Sequence, residues 1–463
     1  SLFAQNSDNL RDSKARNSLL QDQSIADQEG TWMAGFGRRV ITPRTPVWLA
    51  GYGTKREPEE VIHDIWVKVM ALKSPEGNRV VMATTDNQGM SRSVYDEIFE
   101  KVQNQFGLKR SEFMVTFSHN HSGPRLRDDL HDYYPVDEEQ ERLVDEYSSW
   151  MAEQVANAVG EALGNWQEAE LLTGEGYCPF AVNRRENIES EVPQMLANRI
   201  PLEGPVDHYV PVLVIKEPAG ELLGVLFGYA CHPTTLSFNR LLGDYPGFAQ
   251  INLEKSYPGI NAMFFNTCGG DQNPLPRRKL ELCERYGQML SRAVQRVLSG
   301  PMKPVSTGIQ SAFQFVDLEY EEVANRETLL PIANGKSELH ARWARRLLKK
   351  LEEGAKFPAS YPYPVQAWKL GDELLLLGLG GESVVDYSLR FKHDFADHTA
   401  CQTTWVCGYA NEMISYIPSR RVWEEGGYEG AHIDEYGHPA WRWTKDVEER
   451  IAATTQAVVR QVS

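Results

Sequence analysis

Strand-sized apolar runs alternate irregularly with amphipathic stretches along this chain, and that alternation does most to limit the folds open to it. The longest runs, near Leu374–Leu379 and Val210–Ile215, are each one strand long, well short of the ~20 apolar residues that span a bilayer. Ile65–Leu72 and Arg79–Thr85 flank the turn Ser74–Asn78, a hairpin signal. Strands are also expected at Glu112–Phe117, Glu170–Thr173, His208–Lys216, Leu222–Tyr229, Ala262–Asn266, Phe313–Leu318, Leu374–Leu379 and Thr403–Cys407. Helical spacing marks Tyr95–Phe106, Glu138–Leu163, Phe248–Ser256, Arg278–Leu298, Ser337–Glu353 and Val447–Val462. In Glu138–Leu163, Leu143, Tyr147, Trp150 and Met151 fall on one face, with Val155, Val159 and Leu163 continuing it.

No fixed period recurs, which excludes solenoids and propellers. The pattern predicts a mixed α/β (α+β) fold with large mixed sheets flanked by helices. Without an internal linker, residues 31–463 read as one catalytic domain with excursions over 125–137, 186–204 and 319–363. Residues 1–30 are polar and aperiodic and read as a flexible N-terminal arm. Such an arm could wrap around a neighbouring copy, so a homo-oligomer stays open.

Of the 463 residues 64 are acidic and 48 basic, a net charge of −16. Reading a polyanion by counterion release calls for the opposite sign, so no nucleic-acid partner is expected. The six cysteines include no C-x-x-C pair, which fits buried free thiols better than a disulfide scaffold. Cys401 and Cys407, in or beside one expected strand, are poorly placed to bridge. The chain starts at Ser1 rather than Met, which fits a piece such as a signal peptide removed by processing or equally by cloning; a secreted or periplasmic location is the expectation.

The histidines carry the chemistry. Phe117-Ser118-His119-Asn120-His121-Ser122-Gly123-Pro124 puts two of them at the end of a β-run before a Gly-Pro break. On an extended chain, residues i and i+2 point the same way. They read as metal ligands, as a general base, or as a hydrogen-bonded structural pair. His232 repeats the layout, after the run Leu222–Tyr229 and directly before Pro233. Glu382 follows the third run at Gly380-Gly381. It is either a helix-start acid favoured by the macrodipole or a carboxylate ligand. Two histidines and a carboxylate form a recurring catalytic zinc set.

Other segments say less. Asn266–Pro274 is a Gly-rich turn without the lysine of a phosphate-binding loop. Cys268 could be a nucleophile or a buried thiol. No G-x-S-x-G occurs, which argues against a serine-hydrolase elbow. The aromatic stretch Tyr409–Trp443 could line a pocket or cover a sheet edge.

Together these segments resemble the catalytic domain of the neutral/alkaline (non-lysosomal) ceramidases, in order from about Gly35 to about Gly430. Gly35–Pro43 is similar to that family's opening strand, and Gly51-Tyr52 and Ile62-His63 follow as they do there. Ser118–Pro124 is similar to its T-H-T-H-S-G-P motif, Val182-Asn183-Arg184 to N-R-S, and Ala230–Thr234 to A-V-H-G-T. Gly380-Gly381-Glu382 matches P-G-E, and Ala410-Asn411, Tyr416 and Tyr428 match A-N…Y…Y.

The resemblance implies zinc (Zn2+) held by His119, His232, Glu382 and Tyr416, with His121, Arg184 and Tyr428 around the scissile carbonyl. Two departures stand out. Asn273 takes the place of the serine in G-D-V-S-P-N; an amide is no nucleophile but can donate to an oxyanion. The chain also ends about 35 residues after Tyr428, so the family's C-terminal β-sandwich is not expected.

The expected function is zinc-dependent hydrolysis of an N-acyl amide by metal-activated water, on a small-molecule or lipid substrate. The alternatives are a metal-dependent esterase or amidase acting on a polar compound such as an acylated sugar, and an inactive metal-binding protein.

Overall fold

The structure, a computed structural model, describes residues 30–396 and 402–463. Its larger sheet has nine strands, eight of them in one path. In order they are Asn261–Asn266, Leu222–Tyr229, Tyr209–Lys216, Gln167–Tyr177, Trp32–Val40, Trp66–Lys73, Arg79–Thr85 and Phe113–Phe117. Pairing is antiparallel through the middle and parallel at both ends, between Leu222–Tyr229 and Asn261–Asn266 and between Arg79–Thr85 and Phe113–Phe117. A second sheet of four strands runs Ile309–Glu319, Ser360–Leu370, Leu374–Leu379, Thr403–Cys407.

Side-chain alternation assembles these into four layers, helices–sheet–sheet–helices. Met70, Leu72, Val80 and Met82 of the larger sheet share one core with Trp368, Leu374, Leu376 and Trp405 of the smaller. The intervening Val67, Val69, Val81 and Ala83 pack on Ile98, Met151 and Val155 of the helices Arg92–Phe106 and Glu138–Gly164. On the far side, Leu375, Leu377 and Leu379 meet Ile451 and Val458 of the helix Val447–Val462. A period of two thus divides the leucines of Leu374–Leu379 between two cores. Helix starts follow local chemistry: Ser91 accepts from the Val94 N–H and Asp137 from the Gln140 N–H.

The mixed fold and its hairpin are as the sequence predicts, with two local differences. Ser360–Leu370 is a full strand inside what reads as an excursion. Pro362 and Pro364 hide it, since proline cannot donate to a ladder. Here the Pro362 and Pro364 carbonyls turn away from Ile309–Glu319, toward Arg92 and Gly380. Leu374–Leu379 pairs only from Val365 onward, so the missing N–H groups fall where no ladder runs. The second difference is at the histidine pair. The strand stops at Phe117, and His119 is left-handed with φ +71°, so the two rings do not meet by strand alternation. The arm expected over residues 1–30 lies, except for Gly30, outside the described residues, as does Cys401. The five described cysteines are buried and free.

Candidate functional site

Three strands deliver the candidate side chains past their C-terminal ends, and each has a parallel neighbour, the usual position for ligands in such sheets. After Phe117 the Ser118 and His119 N–H groups donate to the carbonyls of Thr85 and Asn87, each at 3.0 Å. After Tyr229 the chain turns so that the His232 N–H donates to the Gln272 carbonyl at 3.0 Å. After Leu379 the chain forms a two-residue parallel pair in which Glu382 faces Tyr416. Gly270 supports that pair at a distance a side chain would not allow: a Cβ there would lie 2.6 Å from the Glu382 carbonyl.

The four residues expected as metal ligands meet. Glu382 Oε1 is 2.8 Å from His119 Nε2 and 3.0 Å from His232 Nε2. Tyr416 Oη is 3.3 Å from His232 Nε2. His119 Nδ1 donates to the Gln88 carbonyl at 2.7 Å and His232 Nδ1 to the Gly269 carbonyl at 2.8 Å. These outer bonds assign the tautomer, leaving a lone pair on each Nε2. Burial, with the Arg184 charge nearby, brings His232 down to about 4, so it is neutral. Two lone-pair nitrogens and a carboxylate oxygen therefore converge with no proton for their contacts.

That donor set fits a divalent cation. Ligands at 2.0–2.1 Å from a tetrahedral ion lie about 3.3 Å apart, close to the spacing seen. His119, His121 and His232 also form a buried three-histidine group whose ligating atoms lie within 4.8 Å of one another.

His121 Nε2 is 3.0 Å from His119 Nε2, and its Nδ1 is buried without a partner. Burial and the adjacent imidazoles hold its pKa well below the ordinary value, so it is neutral at neutral pH. Arg184 follows the short strand Ala181–Asn183, which pairs with Gln272–Pro274 and sets Asn273 against Val182. Its guanidinium donates to Tyr416 Oη at 2.8 Å, to Glu429 at 2.6 Å and to Asn273 Oδ1 at 3.3 Å. Burial opposes its charge, yet Tyr416 and Glu429 raise its pKa well above the usual value, fixing a cation at the site. The Tyr428 ring stands 5.0 Å from that of Tyr416 and remains 42% exposed at the mouth. Every expected site residue is thus brought to one place.

Sequence reasoning missed several neighbours. The Tyr436 hydroxyl donates to Glu382 Oε2, and the Tyr409 hydroxyl to Oε1 at 3.3 Å. Glu429 clamps Arg184 and, at 2.8 Å, Arg185. The richness of Tyr409–Trp443 in aromatic residues was the available signal, without a spacing to single these out. Cys268 is buried, which pushes its thiol well above the ordinary range, so it is a core thiol and not a nucleophile. The site cavity is about 20 Å³, with Leu130, Tyr133, Tyr428, Glu435 and Tyr436 at its walls, room for one water-sized occupant.

The family model described as neutral/alkaline non-lysosomal ceramidase, N-terminal, matches residues 32–274. That span contains His119, His121, Arg184, His232 and Asn273, while Glu382, Tyr416 and Tyr428 lie beyond it. The fold is similar to that of neutral ceramidase from Pseudomonas aeruginosa, with TM-score 0.72 and 18% identity over 93% of this chain and 74% of that one. A ceramidase complexed with C2 gives TM-score 0.71 and 17% identity over 93% of this chain and 75% of that one. No curated protein sequence matches. Among the described residues no helix is long and apolar enough to cross a membrane.

Proposed function

Since this chain belongs to the neutral/alkaline non-lysosomal ceramidase family, we propose that it is a zinc-dependent hydrolase of N-acyl amide bonds. One observation carries the reading: His119 Nε2, His232 Nε2 and Glu382 Oε1 converge at 2.8–3.0 Å as acceptors with no proton to share. His119, His232, Glu382 and Tyr416 would hold the ion. When bound, Zn2+ supplies a Lewis acid for the carbonyl and acidifies water toward a pKa of about 7.

The remaining steps belong to the chain. Arg184, fixed by Glu429, places a permanent cation beside Tyr416, where charge develops on the carbonyl oxygen. Tyr428 is a second donor from the mouth, and the Asn273 amide a third, its Oδ1 being held by Arg184. Neutral His121 takes a proton and returns it to the leaving nitrogen. None of these roles needs a hydroxyl at position 273, so asparagine there is compatible with turnover. The intact set of Arg184, His121 and Tyr428 also favours an enzyme over a protein that merely retains metal.

The wall composition supports a second reading, a polar N-acyl or O-acyl substrate such as an acylated sugar. Tyrosines and Glu435 dominate the cavity, and Leu130 is its aliphatic side chain; a long lipid tail would need an apolar groove. The deciding experiment is elemental analysis of the purified protein, then a panel of ceramides, polar N-acyl and O-acyl compounds with and without chelator. Stoichiometric zinc with chelator-sensitive amide hydrolysis is expected. Full activity without metal would sink the proposal. A secreted or periplasmic location is part of the same reading, and fractionation of the producing cells tests it.

A further inference from the structure

Beyond the Tyr436 ring lies a second cavity, of about 480 Å³, a size suited to a small organic molecule. Its walls include Asp128, Asp129, Tyr361, Glu412, Met413 and Tyr436. Tyr436 also borders the cavity at the histidines, so the two spaces share a wall whose hydroxyl holds Glu382.

The charges in the larger cavity do not cancel. Glu412 is paired with Arg92 at 2.6 Å, and Asp96 with Arg110 at 3.1 Å. Asp128 has the Ser93 hydroxyl at 2.7 Å and, among the described residues, no cation. Asp129 is 6% exposed, and among the described residues its carboxylate has neither a hydrogen bond nor an ion pair. Burial pushes its carboxyl up to about 7, while His119 and, through space, the Arg125 guanidinium, whose central carbon lies 3.8 Å from the Tyr134 ring centroid, act to lower it. A buried carboxylate without a partner is costly, and a cation in the cavity would remove that cost.

A bare metal ion does not match. Among the described residues, three metal-ligating side chains converge only at the histidines. Separated carboxylates with the Tyr436 ring nearby suit a larger cation held by charge-assisted hydrogen bonds, the Tyr361 ring being already faced by the Arg92 guanidinium at 5.3 Å.

We propose that this cavity is a binding site for a small organic ammonium ion, with Asp129 as its principal counter-ion and Asp128 as its second. Amide hydrolysis generates such an ion: R–CO–NH–R′ + H2O → R–COO⁻ + R′–NH3⁺. The C–N bond breaks, a C–O bond forms, and the nitrogen leaves protonated at neutral pH. The proposal rests on the hydrolase reading only for the source of that amine.

The test is titration calorimetry of the metal-loaded protein with ethanolammonium chloride, against ethylene glycol as neutral counterpart and sodium chloride as ionic control. Ethanolammonium is expected to bind, glycol and sodium not. Asp129→Asn should weaken binding about tenfold, the effect of losing one hydrogen bond to a charged group, and Asp128→Asn should weaken it less. Equal binding of glycol or sodium, no binding of ethanolammonium, or unchanged affinity in Asp129→Asn overturns the site. If Asp129→Asn fails to fold, Asp128→Asn decides in the same way. Amine binding in a protein that hydrolyses no N-acyl compound would uphold the site and refute the hydrolase reading instead.

Discussion

Gly51→Ala tests the role given to His121 without touching any proposed ligand. Gly51 has φ +103°, and a Cβ on it would lie 2.3 Å from His121 Nδ1 and 2.5 Å from Cγ. Restoring ordinary contact moves the imidazole by about 1 Å, a displacement that costs about 100-fold when a reacting group must be in place. The ring has no easy retreat, being buried with Tyr52 at 4.9 Å and His119 at 4.6 Å between centroids. The backbone is pinned as well, since the Gly51 N–H donates to Tyr134 Oη at 2.7 Å. Alanine at this φ adds about 1–3 kcal/mol of strain, which leaves the protein folded with a Tm a few degrees lower. The assay is steady-state hydrolysis of the best amide substrate beside zinc content and thermal melting. The expected result is kcat down about 100-fold with zinc retained. Zinc lost in step with activity would make His121 a ligand and refute its proton-transfer role; unchanged kcat would refute that role too.

Two further contrasts follow from the same geometry. His119→Ala should abolish both zinc binding and hydrolysis, whereas Asn273→Ala should keep the metal and lower kcat by about 100- to 1000-fold, the typical effect of one oxyanion donor; complete loss in Asn273→Ala would contradict the mechanism. Acid should destabilise the fold through His63 and His438, both brought by burial to about 4 from 6.5. His63 Nε2 accepts from the Gly243 N–H at 2.8 Å and cannot do so when protonated. Because the unfolded chain takes up these protons first, stability is fully present above pH 6.5 and falls progressively toward pH 4. Urea unfolding at pH 7 and pH 5 measures this, and equal midpoints would refute the assignment.

What could be read from the sequence depends on how each residue reaches the site. His119, His232 and Glu382 follow strands whose apolar runs and glycine or proline breaks are local signals, so each could be singled out from its immediate neighbours. Their convergence is not local. It depends on the smaller sheet packing across Met70, Met82, Trp368 and Leu376, which brings the end of Leu374–Leu379 to the ends of two strands in the larger sheet. Tyr416 and Tyr428 are legible only through family resemblance, because a tyrosine has no spacing signature in an aromatic-rich loop, and so is Arg184, which follows a strand of three residues. Tyr436 and Tyr409 are not legible in that loop, since nothing in their order says which hydroxyl meets Glu382. The left-handed His119 escaped for the opposite reason: its conformation is held by the Asn87 carbonyl and the Gln88 contact, both outside its own segment. Local pattern therefore identifies the groups that present chemistry. The groups that orient them, two tyrosines on a carboxylate and a glutamate on an arginine, are set by the closure of two sheets, and there the substitutions described above separate positioning from ligation.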